Sequence, residues 1–269
     1  MTPESRRALL VTHGQGNEVG LAIETAKAVA SSAGWELVEE AGAGPDGAEL
    51  CIALGGDGTI LRAMREGIGR GYPVFGVNYG RVGFLAAVEA DEVEEGLRKA
   101  FAGEVEVLDL PALEVTWDGG SSVGLNDVGF LRKPRSGVAE LGYRISGQEV
   151  GRVRCDGLVA ATPTGSTGYN LANNGPILAW GVEGFAVTYI APHTLTARAL
   201  VVAPGDVLDV VNHRSRDSVE IVVDGVEVGE LSPGSGADVS FREGVGRLAQ
   251  LPGANFYHRI AEKFGHLAS

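Results

Sequence analysis

Cysteine is scarce: the 269 residues hold two, Cys51 and Cys155. Both lie in apolar, strand-like runs, which reads as buried free thiols in a reducing compartment. A disulfide between them is the alternative reading. Positive charge is short as well, with 22 Lys and Arg against 35 Asp and Glu and a formal net charge of −13. That balance argues against general nucleic-acid or anionic-membrane binding; if the chain holds phosphates, it does so locally, with loops and a few arginines. No apolar run approaches the roughly 18 residues that span a membrane. Residues 1–7 are polar and no apolar segment follows a basic one, so the expectation is a chain without a signal peptide and a cytoplasmic location. None of the five histidines stands at metal-ligand spacing from an acid or a cysteine. A G-x-x-x-x-G-K-[ST] loop is missing, so a phosphoryl donor is not gripped in the Walker manner. Internal repeats, long linkers and low-complexity tracts are also missing.

Glycine is in excess. It accounts for 41 of 269 residues, about 15% and roughly twice the usual share. The glycines have no three-residue period, which excludes collagen and suggests tight turns and backbone that approaches ligands closely. Apolar residues at 44% and charged residues at 21% are ordinary for a globular chain. The length fits one large domain or two small ones.

The first third alternates strand and helix patterns. Residues 8–11 suit a buried strand, and Val19, Ile23, Ala26 and Ala30 then recur at helical spacing. Residues 35–38 read as a second strand, 41–47 as a loop, 49–54 as a third strand, 59–66 as a helix and 73–77 as a fourth strand. Residues 91–101 form an amphipathic helix, with Val93, Leu97 and Phe101 on one face and the pairs Glu94/Arg98 and Glu95/Lys99 on the other. This alternation predicts a mostly parallel sheet flanked by helices. After about residue 105 strand-like runs follow one another, at 112–117, 122–130, 138–145, 158–161, 185–190, 207–211, 219–223 and 237–241. Asp118-Gly119-Gly120 and Asp224-Gly225 are hairpin-type turn signals between them. The expected fold is therefore α/β plus all-β. A Rossmann-like parallel-sheet domain (residues 1–105) precedes a β-sandwich (106–245). A tail (246–269), with a helical stripe of Phe256, Ile260 and Phe264, returns to the first domain.

The strongest local motif is Gly55-Gly56-Asp57-Gly58-Thr59, set between an apolar strand and a helix. Its glycines let the chain turn sharply with nothing in the way of a ligand, and Thr59 is expected to cap the helix. The helix N-terminus offers free N–H groups and partial positive charge to a phosphate. Asp57 stands at the carboxyl end of a strand, where ligands collect in open α/β sheets. A plain Asp-Gly turn is the alternative. The run His13-Gly14-Gln15-Gly16-Asn17-Glu18-Val19-Gly20 is an imperfect dinucleotide fingerprint, with Val19 where the third glycine belongs, and reads as an ordinary loop.

Further motifs follow Gly55-Gly56-Asp57-Gly58-Thr59 along the chain: Gly76-Val77-Asn78 with Gly80-Arg81-Val82-Gly83-Phe84-Leu85, and Leu125-Asn126-Asp127. Asp156-Gly157, Thr162-Pro163-Thr164-Gly165-Ser166-Thr167-Gly168-Tyr169, Pro192-His193-Thr194-Leu195, Asp224-Gly225 and Asn255-Phe256-Tyr257 come after them in order. Taken together, these pieces resemble the motifs of bacterial-type NAD kinases. The first motif is shared with lipid kinases and phosphofructokinases; the Thr-Pro-Thr-Gly-Ser-Thr run is more specific. The resemblance implies phosphoryl transfer from ATP, another nucleoside triphosphate or polyphosphate to the 2′-hydroxyl of the adenosine ribose of NAD, giving NADP. Asp57 is the expected base, because a ribose hydroxyl is a poor nucleophile at neutral pH. Gly55, Gly56, Gly58 and Thr59 are expected to cradle the donor phosphates, and Mg²⁺ or another divalent ion to be held mainly by those phosphates.

The same resemblance implies a dinucleotide site of Asp57, Gly58, Arg62, Phe84, Asn126, Asp127, Arg154, Asp156, Thr164, Thr167, Gly168, Tyr169, Asn170 and Ala172. Hydroxyls and amides of residues 162–169 can read an adenine edge or bind its ribose, or form no more than a hydroxyl-rich β-loop. Asn126 can pair with a ring or ribose edge, and Asp127 can accept from ribose hydroxyls. Arg62 either points toward phosphate or is a solvated helix arginine. Arg154 and Asp156, one residue apart on a strand, project to one face and either bind the dinucleotide or form a cross-strand salt bridge. Phe84 and Leu85 wall a pocket or belong to the core. His193 receives no catalytic role. The family usually has Glu at the position of Asp127, Ala at Gly168 and Gly at Asn174. The expected site lies at the domain cleft of a homodimer or homotetramer, with no nucleic-acid or membrane partner. Two rivals stand beside this reading: another kinase with the same glycine loop, and a dinucleotide-binding regulator without turnover.

Overall fold

The computed structural model describes residues 6–12, 17–39, 47–80, 83–214 and 216–265. The chain divides into two units, Met1–Asp109 with Gly246–Ser269, and Leu110–Val245. The first unit runs β1 (Arg6–Thr12), α1 (Asn17–Ser32), β2 (Trp35–Glu39), β3 (Leu50–Gly55), α2 (Asp57–Gly67), β4 (Val74–Asn78), a short β5 (Val88–Glu89) and α3 (Val93–Ala102). The strands β2, β1, β3 and β4 pair in that order, all parallel, and β5 joins β4 in the same sense. Every residue of β3 and β4 is buried, as continuous apolar runs in a covered parallel sheet require. α3 lays Leu97, Ala100 and Phe101 inward and stops at Gly103, whose φ of 79° is the left-handed turn that glycine adopts without strain. The Trp35 indole donates to the Phe101 carbonyl at 3.0 Å while the two rings pack 5.4 Å apart.

The second unit holds β6 (Glu106–Trp117), which begins in the first, then β7 (Gly120–Gly124), β8 (Asp127–Arg132), β9 (Ala139–Ile145), β10 (Gln148–Cys155) and β11 (Gly157–Ala161). A one-turn helix α4 (Tyr169–Ala172) precedes β12 (Phe185–Ile190), β13 (Leu200–Val202), β14 (Leu208–Asn212), β15 (Val219–Val223), β16 (Val226–Leu231) and β17 (Gly236–Gln250). One antiparallel sheet has the order β13-β12-β11-β8-β15-β16; the other contains β10-β9-β14-β17 and the β6–β7 hairpin. Phe130, Leu158, Phe185 and Ile221 from the first sheet meet Leu141, Leu208, Val210 and Val239 from the second in one core. β14 and β15 alternate buried and half-buried residues, as sandwich strands do.

The end of β17 pairs in parallel with β4 in the first unit, where Leu248 faces Val74. The tail then forms α5 (Phe256–Phe264). The Asn255 side chain accepts from the amides of Tyr257 and His258, an N-cap, and Phe256 and Ile260 are buried. The Phe84 and Phe264 rings lie 5.3 Å apart.

The structure corrects several expectations. Residues 122–130 are not one strand: β7 pairs with β6, β8 joins the other sheet, and the break falls at Leu125-Asn126, where a side chain takes the amides that a ladder would have used. β10 lies outside the expected strand runs because it is charged, largely exposed and bulged between Glu149 and Gly151. β13 is apolar but only three residues long, and the edge strand β16 is largely exposed with two glutamates and a glycine, so neither announces itself. α2 starts at Asp57 rather than near Thr59, with Gly56 at its N-cap and no side-chain cap, so Thr59 is a buried first-turn residue instead of the cap. Most of the loop expected at 41–47, the run 13–16 and residues 81 and 82 lie outside the described residues. Cys51 and Cys155 are buried free thiols.

Candidate active site

In the first unit the site grows from the β3–α2 junction. Asp57, half-buried, is the first residue of α2, where the helix amides lack intrahelical acceptors and the macrodipole favours an anion. Its carboxylate is held by backbone: the Phe84 amide donates to Oδ2 at 3.0 Å and the Leu85 amide to Oδ1 at 2.9 Å. Gly58 beside it is exposed, while Gly55 and Thr59 are buried beneath the turn. Gly80 lies against Gly56 so closely that a Cβ on Gly80 would stand 3.0 Å from the Gly56 Cα. The buried Asn78 side chain ties this floor together, accepting from the Gly80 amide at 2.9 Å and donating to Glu89 at 2.7 Å. Gly83, at φ 151°, must be glycine, since a Cβ there would sit 2.5 Å from the Asn78 amide nitrogen. Arg62 is exposed and donates to the Thr12 carbonyl at the end of β1, at 3.0 Å. Phe84 and Leu85 are core residues, 6% and 3% exposed, so their backbone rather than their side chains reaches Asp57.

In the second unit a cluster forms where β8 begins. Asp224 accepts from three successive amides: Leu125 at 2.9 Å, Asn126 at 2.7 Å and Asp127 at 3.1 Å. Thr162 closes the other side, its hydroxyl donating to the Leu125 carbonyl at 2.7 Å and accepting from the Gly165 amide at 3.0 Å. The hydroxyl-rich run is thus largely self-bonded: Ser166 pairs with Pro163 and Leu178, and Thr167 with the Thr164 carbonyl. Asn170 is fully buried and spends its amide on the Ser166 and Pro176 carbonyls and the Thr188 hydroxyl, so it braces the loop. Two buried polar atoms of this cluster have no partner among the described residues, Asn126 Oδ1 and Thr164 Oγ1. Such atoms are uncommon in folded proteins and are open to a ligand or to water. Burial and then the neighbouring Asp224 carboxylate push Asp127 up to about 7. Burial, then the charges of Asp127 and Asp156, raise the Tyr169 phenol. Tyr169, Gly168 and Ala172 are exposed at its lip.

Arg154 and Asp156 do not share a strand face, because β10 ends at Cys155 and Asp156 is the bend before β11. Asp156 pairs instead with Arg132, at 2.6 Å, and Arg154 is exposed. The His193 amide donates to the Arg154 carbonyl at 2.7 Å. Among the described residues no three His, Cys, Asp or Glu side chains converge to hold a metal, and no helix is long and apolar enough to cross a membrane.

Two family models match, the ATP-NAD kinase N-terminal domain over residues 21–105 and the ATP-NAD kinase C-terminal domain over residues 125–248. The chain belongs to the NAD kinase family. It is 38% identical to the NAD kinase of Gemmatimonas aurantiaca over 228 residues, 81% of this chain and 77% of that one. It is 36% identical to the NAD kinase of Symbiobacterium thermophilum, with 80% and 78% of the two chains covered. The structure of an Archaeoglobus fulgidus NAD kinase in complex with ATP matches with a TM-score of 0.78 and 25% identity, over 96% of this chain and 97% of that one. A yeast NADH kinase complexed with NADH shares the fold, with a TM-score of 0.86 and 22% identity over 98% and 89%. Against the usual NAD kinase pattern, the departure at Asn174 has a local explanation and the one at Gly168 has none. Asn174 has φ 61°, the left-handed region where Asn follows Gly in tolerance. Gly168 has an ordinary negative φ, and a Cβ there would meet only the Gly165 carbonyl, at 3.4 Å. Asp224 is legible in the sequence as a turn residue and as part of a matching motif, but not its hold on three amides, whose residues lie about a hundred positions away. Arg259 and Gln250 have no signal in the sequence beyond a charged and a polar residue near apolar ones.

Proposed function

We propose that this chain transfers a phosphoryl group from ATP, another nucleoside triphosphate or polyphosphate to the 2′-hydroxyl of the adenosine ribose of NAD, with Asp57 as the general base. The observation that carries the proposal is the Asp57 carboxylate, fixed by two backbone amides at the start of a helix with an exposed glycine beside it. Each oxygen uses one lone pair on an amide and retains another for a hydroxyl proton. The ribose O–H donates to that carboxylate, its oxygen bonds to the terminal phosphorus, and the bond from phosphorus to the leaving phosphate oxygen breaks. The proton is left on Asp57 and passes to solvent. The amides of Gly56 and Gly58 and the N-terminus of α2 favour the donor phosphates. A divalent cation such as Mg²⁺, held by those phosphates, supplies charge neutralisation. The ATP bound to the Archaeoglobus fulgidus relative supports ATP as the first donor to test.

For the acceptor, the unpartnered Asn126 Oδ1 suits an exocyclic amine such as that of adenine, and the unpartnered Thr164 hydroxyl suits a ring or ribose edge. Asp127 serves a ribose hydroxyl, with Tyr169 packing against a ring. The test is NADP formation by purified protein with NAD or NADH, Mg²⁺ and either ATP or polyphosphate. Asp57→Asn should lower turnover by about 10²-fold or more while dinucleotide binding by calorimetry changes little. Wild-type-like turnover in that variant removes Asp57 from the base role. Binding without product in the wild-type chain favours the regulator. Light scattering on the same protein checks the homodimer or homotetramer.

A further inference from the structure

Arg259 of α5 lies behind the segment that holds Asp57. Its Nη1 donates to the carbonyls of Gly83 at 3.4 Å and Phe84 at 3.0 Å, and also to that of Ala86; Nη2 donates to Gln250 Oε1. Gln250, 1% exposed, returns its own N–H to the Leu85 carbonyl at 2.9 Å. Four successive carbonyls, of residues 83 to 86, are therefore gripped from one side, while the Phe84 and Leu85 amides turn the other way, onto Asp57.

The pairing of these groups matters. The Gly83 carbonyl and the Phe84 N–H belong to one planar peptide unit, and the Phe84 carbonyl and the Leu85 N–H belong to the next. Both units thus stand between a cation and an anion, carbonyl toward Arg259 and N–H toward Asp57. A cation at the oxygen polarises the amide and strengthens its N–H as a donor, so the hydrogen bonds along each relay reinforce one another. We infer that Arg259 is a positioning residue for Asp57, fixing the orientation of its carboxylate through two polarised peptide units. This inference rests on Asp57 being the base. Electrostatics agree with the geometry: burial lowers the Arg259 guanidinium, and Asp57 is the first of the carboxylates that oppose the shift. Lysine does not replace the fork, since a single ammonium cannot reach both the carbonyls and Gln250 in one plane.

The experiment measures kcat and KM for NAD in the wild type, Arg259→Gln, Arg259→Lys, Asp57→Asn and the double variant Asp57→Asn/Arg259→Gln, with folding followed by circular dichroism. Misplacing the base should lower kcat of Arg259→Gln by about 10- to 100-fold, with KM for NAD within about twofold. Arg259→Lys should fall between it and the wild type. In the Asp57→Asn background the Arg259→Gln change should cost almost nothing more, because the group it positions is already lost. A cavity of about 310 Å³ is lined by Arg259, so free guanidinium should restore part of the turnover of Arg259→Ala. Wild-type kcat in Arg259→Gln, or its full loss repeated in the Asp57→Asn background, overturns the positioning role alone. Retained turnover in Asp57→Asn overturns the reading of the base itself. If Arg259→Gln does not fold, Arg259→Lys decides by the same kcat-against-KM split.

Discussion

Asp57 and Asp224 use one device in two units of the chain and put it to opposite ends. Each carboxylate collects backbone amides, two for Asp57 and three for Asp224. Asp224 sits in the β15–β16 turn at φ 47°, its own amide bonded to the Asp127 carbonyl at 3.0 Å. Its oxygens are absorbed in turning the chain from β7 in one sheet to β8 in the other. Asp57 instead is held in place by its amides, at a helix start beside exposed Gly58, and keeps acceptor capacity for a further donor. The same side chain sculpts a loop in one place and is itself sculpted in the other. A carboxylate that accepts backbone amides is therefore not thereby structural or functional; what its remaining lone pairs face decides.

The comparison breaks most directly if the two aspartates are exchanged in effect. The largest expected change is the turnover loss of Asp57→Asn, which should come with a smaller loss of stability, about 1–2 kcal/mol, because an amide oxygen still accepts one of the two N–H groups and only the other is orphaned. Asp224→Ala should do the reverse in kind: it orphans three amides and places Ala at positive φ, costing about 2–4 kcal/mol in urea unfolding. Dinucleotide affinity should weaken with it, since Asn126 and Asp127 lose their anchor. A stability loss in Asp57→Asn as large as that in Asp224→Ala would erase the distinction.

Asp127 sharpens the contrast through pH. Its carboxyl is raised from an ordinary 3.8 to about 7, by burial first and by Asp224 second. Between those two values the folded chain keeps a proton that the unfolded chain has released. The contribution to stability is therefore present at low pH and lost as pH rises from about 4 through 7. Asp127→Asn removes that slope, so its urea midpoint should gain on the wild type between pH 5 and pH 8. In Asp224→Ala the charge contribution disappears while burial remains, and the transition should move part of the way down. An Asp127→Asn midpoint that tracks the wild type at both pH values would show that burial does not act on this carboxyl.

How much of this was legible in the sequence follows from the range of the forces involved. The parallel sheet could be read from β3 and β4 because fully buried strands must be continuously apolar. Asp57 could be read because its partners in the motif are adjacent in the chain. The break between β7 and β8 could not, since the apolar pattern runs on through Leu125 and the cause, Asp224, is distant in sequence. Nor could the Asp156 partner, Arg132, be told from Arg154 by spacing, because the strand ends between the two candidates. Asn170 looked like a ligand group by its place in a specific motif, and its buried bonds to Ser166, Pro176 and Thr188 show it bracing the loop. Local pattern identifies the groups that chemistry needs; the long-range hydrogen bonds that orient them leave almost no trace in it.

The smallest expected effect tests the other half of that contrast, that the lip of the second unit's loop matters less than its anchors. Gly168→Ala restores the residue that the family usually has there. Gly168 has φ −97° and ψ −121°, so no left-handed strain demands glycine, and the added methyl meets only the Gly165 carbonyl, at 3.4 Å. That contact is tight but the position is exposed, so the loop has room to shift by a few tenths of an ångström. Alanine also restricts the unfolded chain more than glycine does, which offsets the crowding. The net change in stability should stay within about 0.5 kcal/mol, and KM for NAD within about twofold. A loss comparable to that of Asp224→Ala would mean that the loop is held by its lip and not by its anchors, and would reverse the roles assigned to the two.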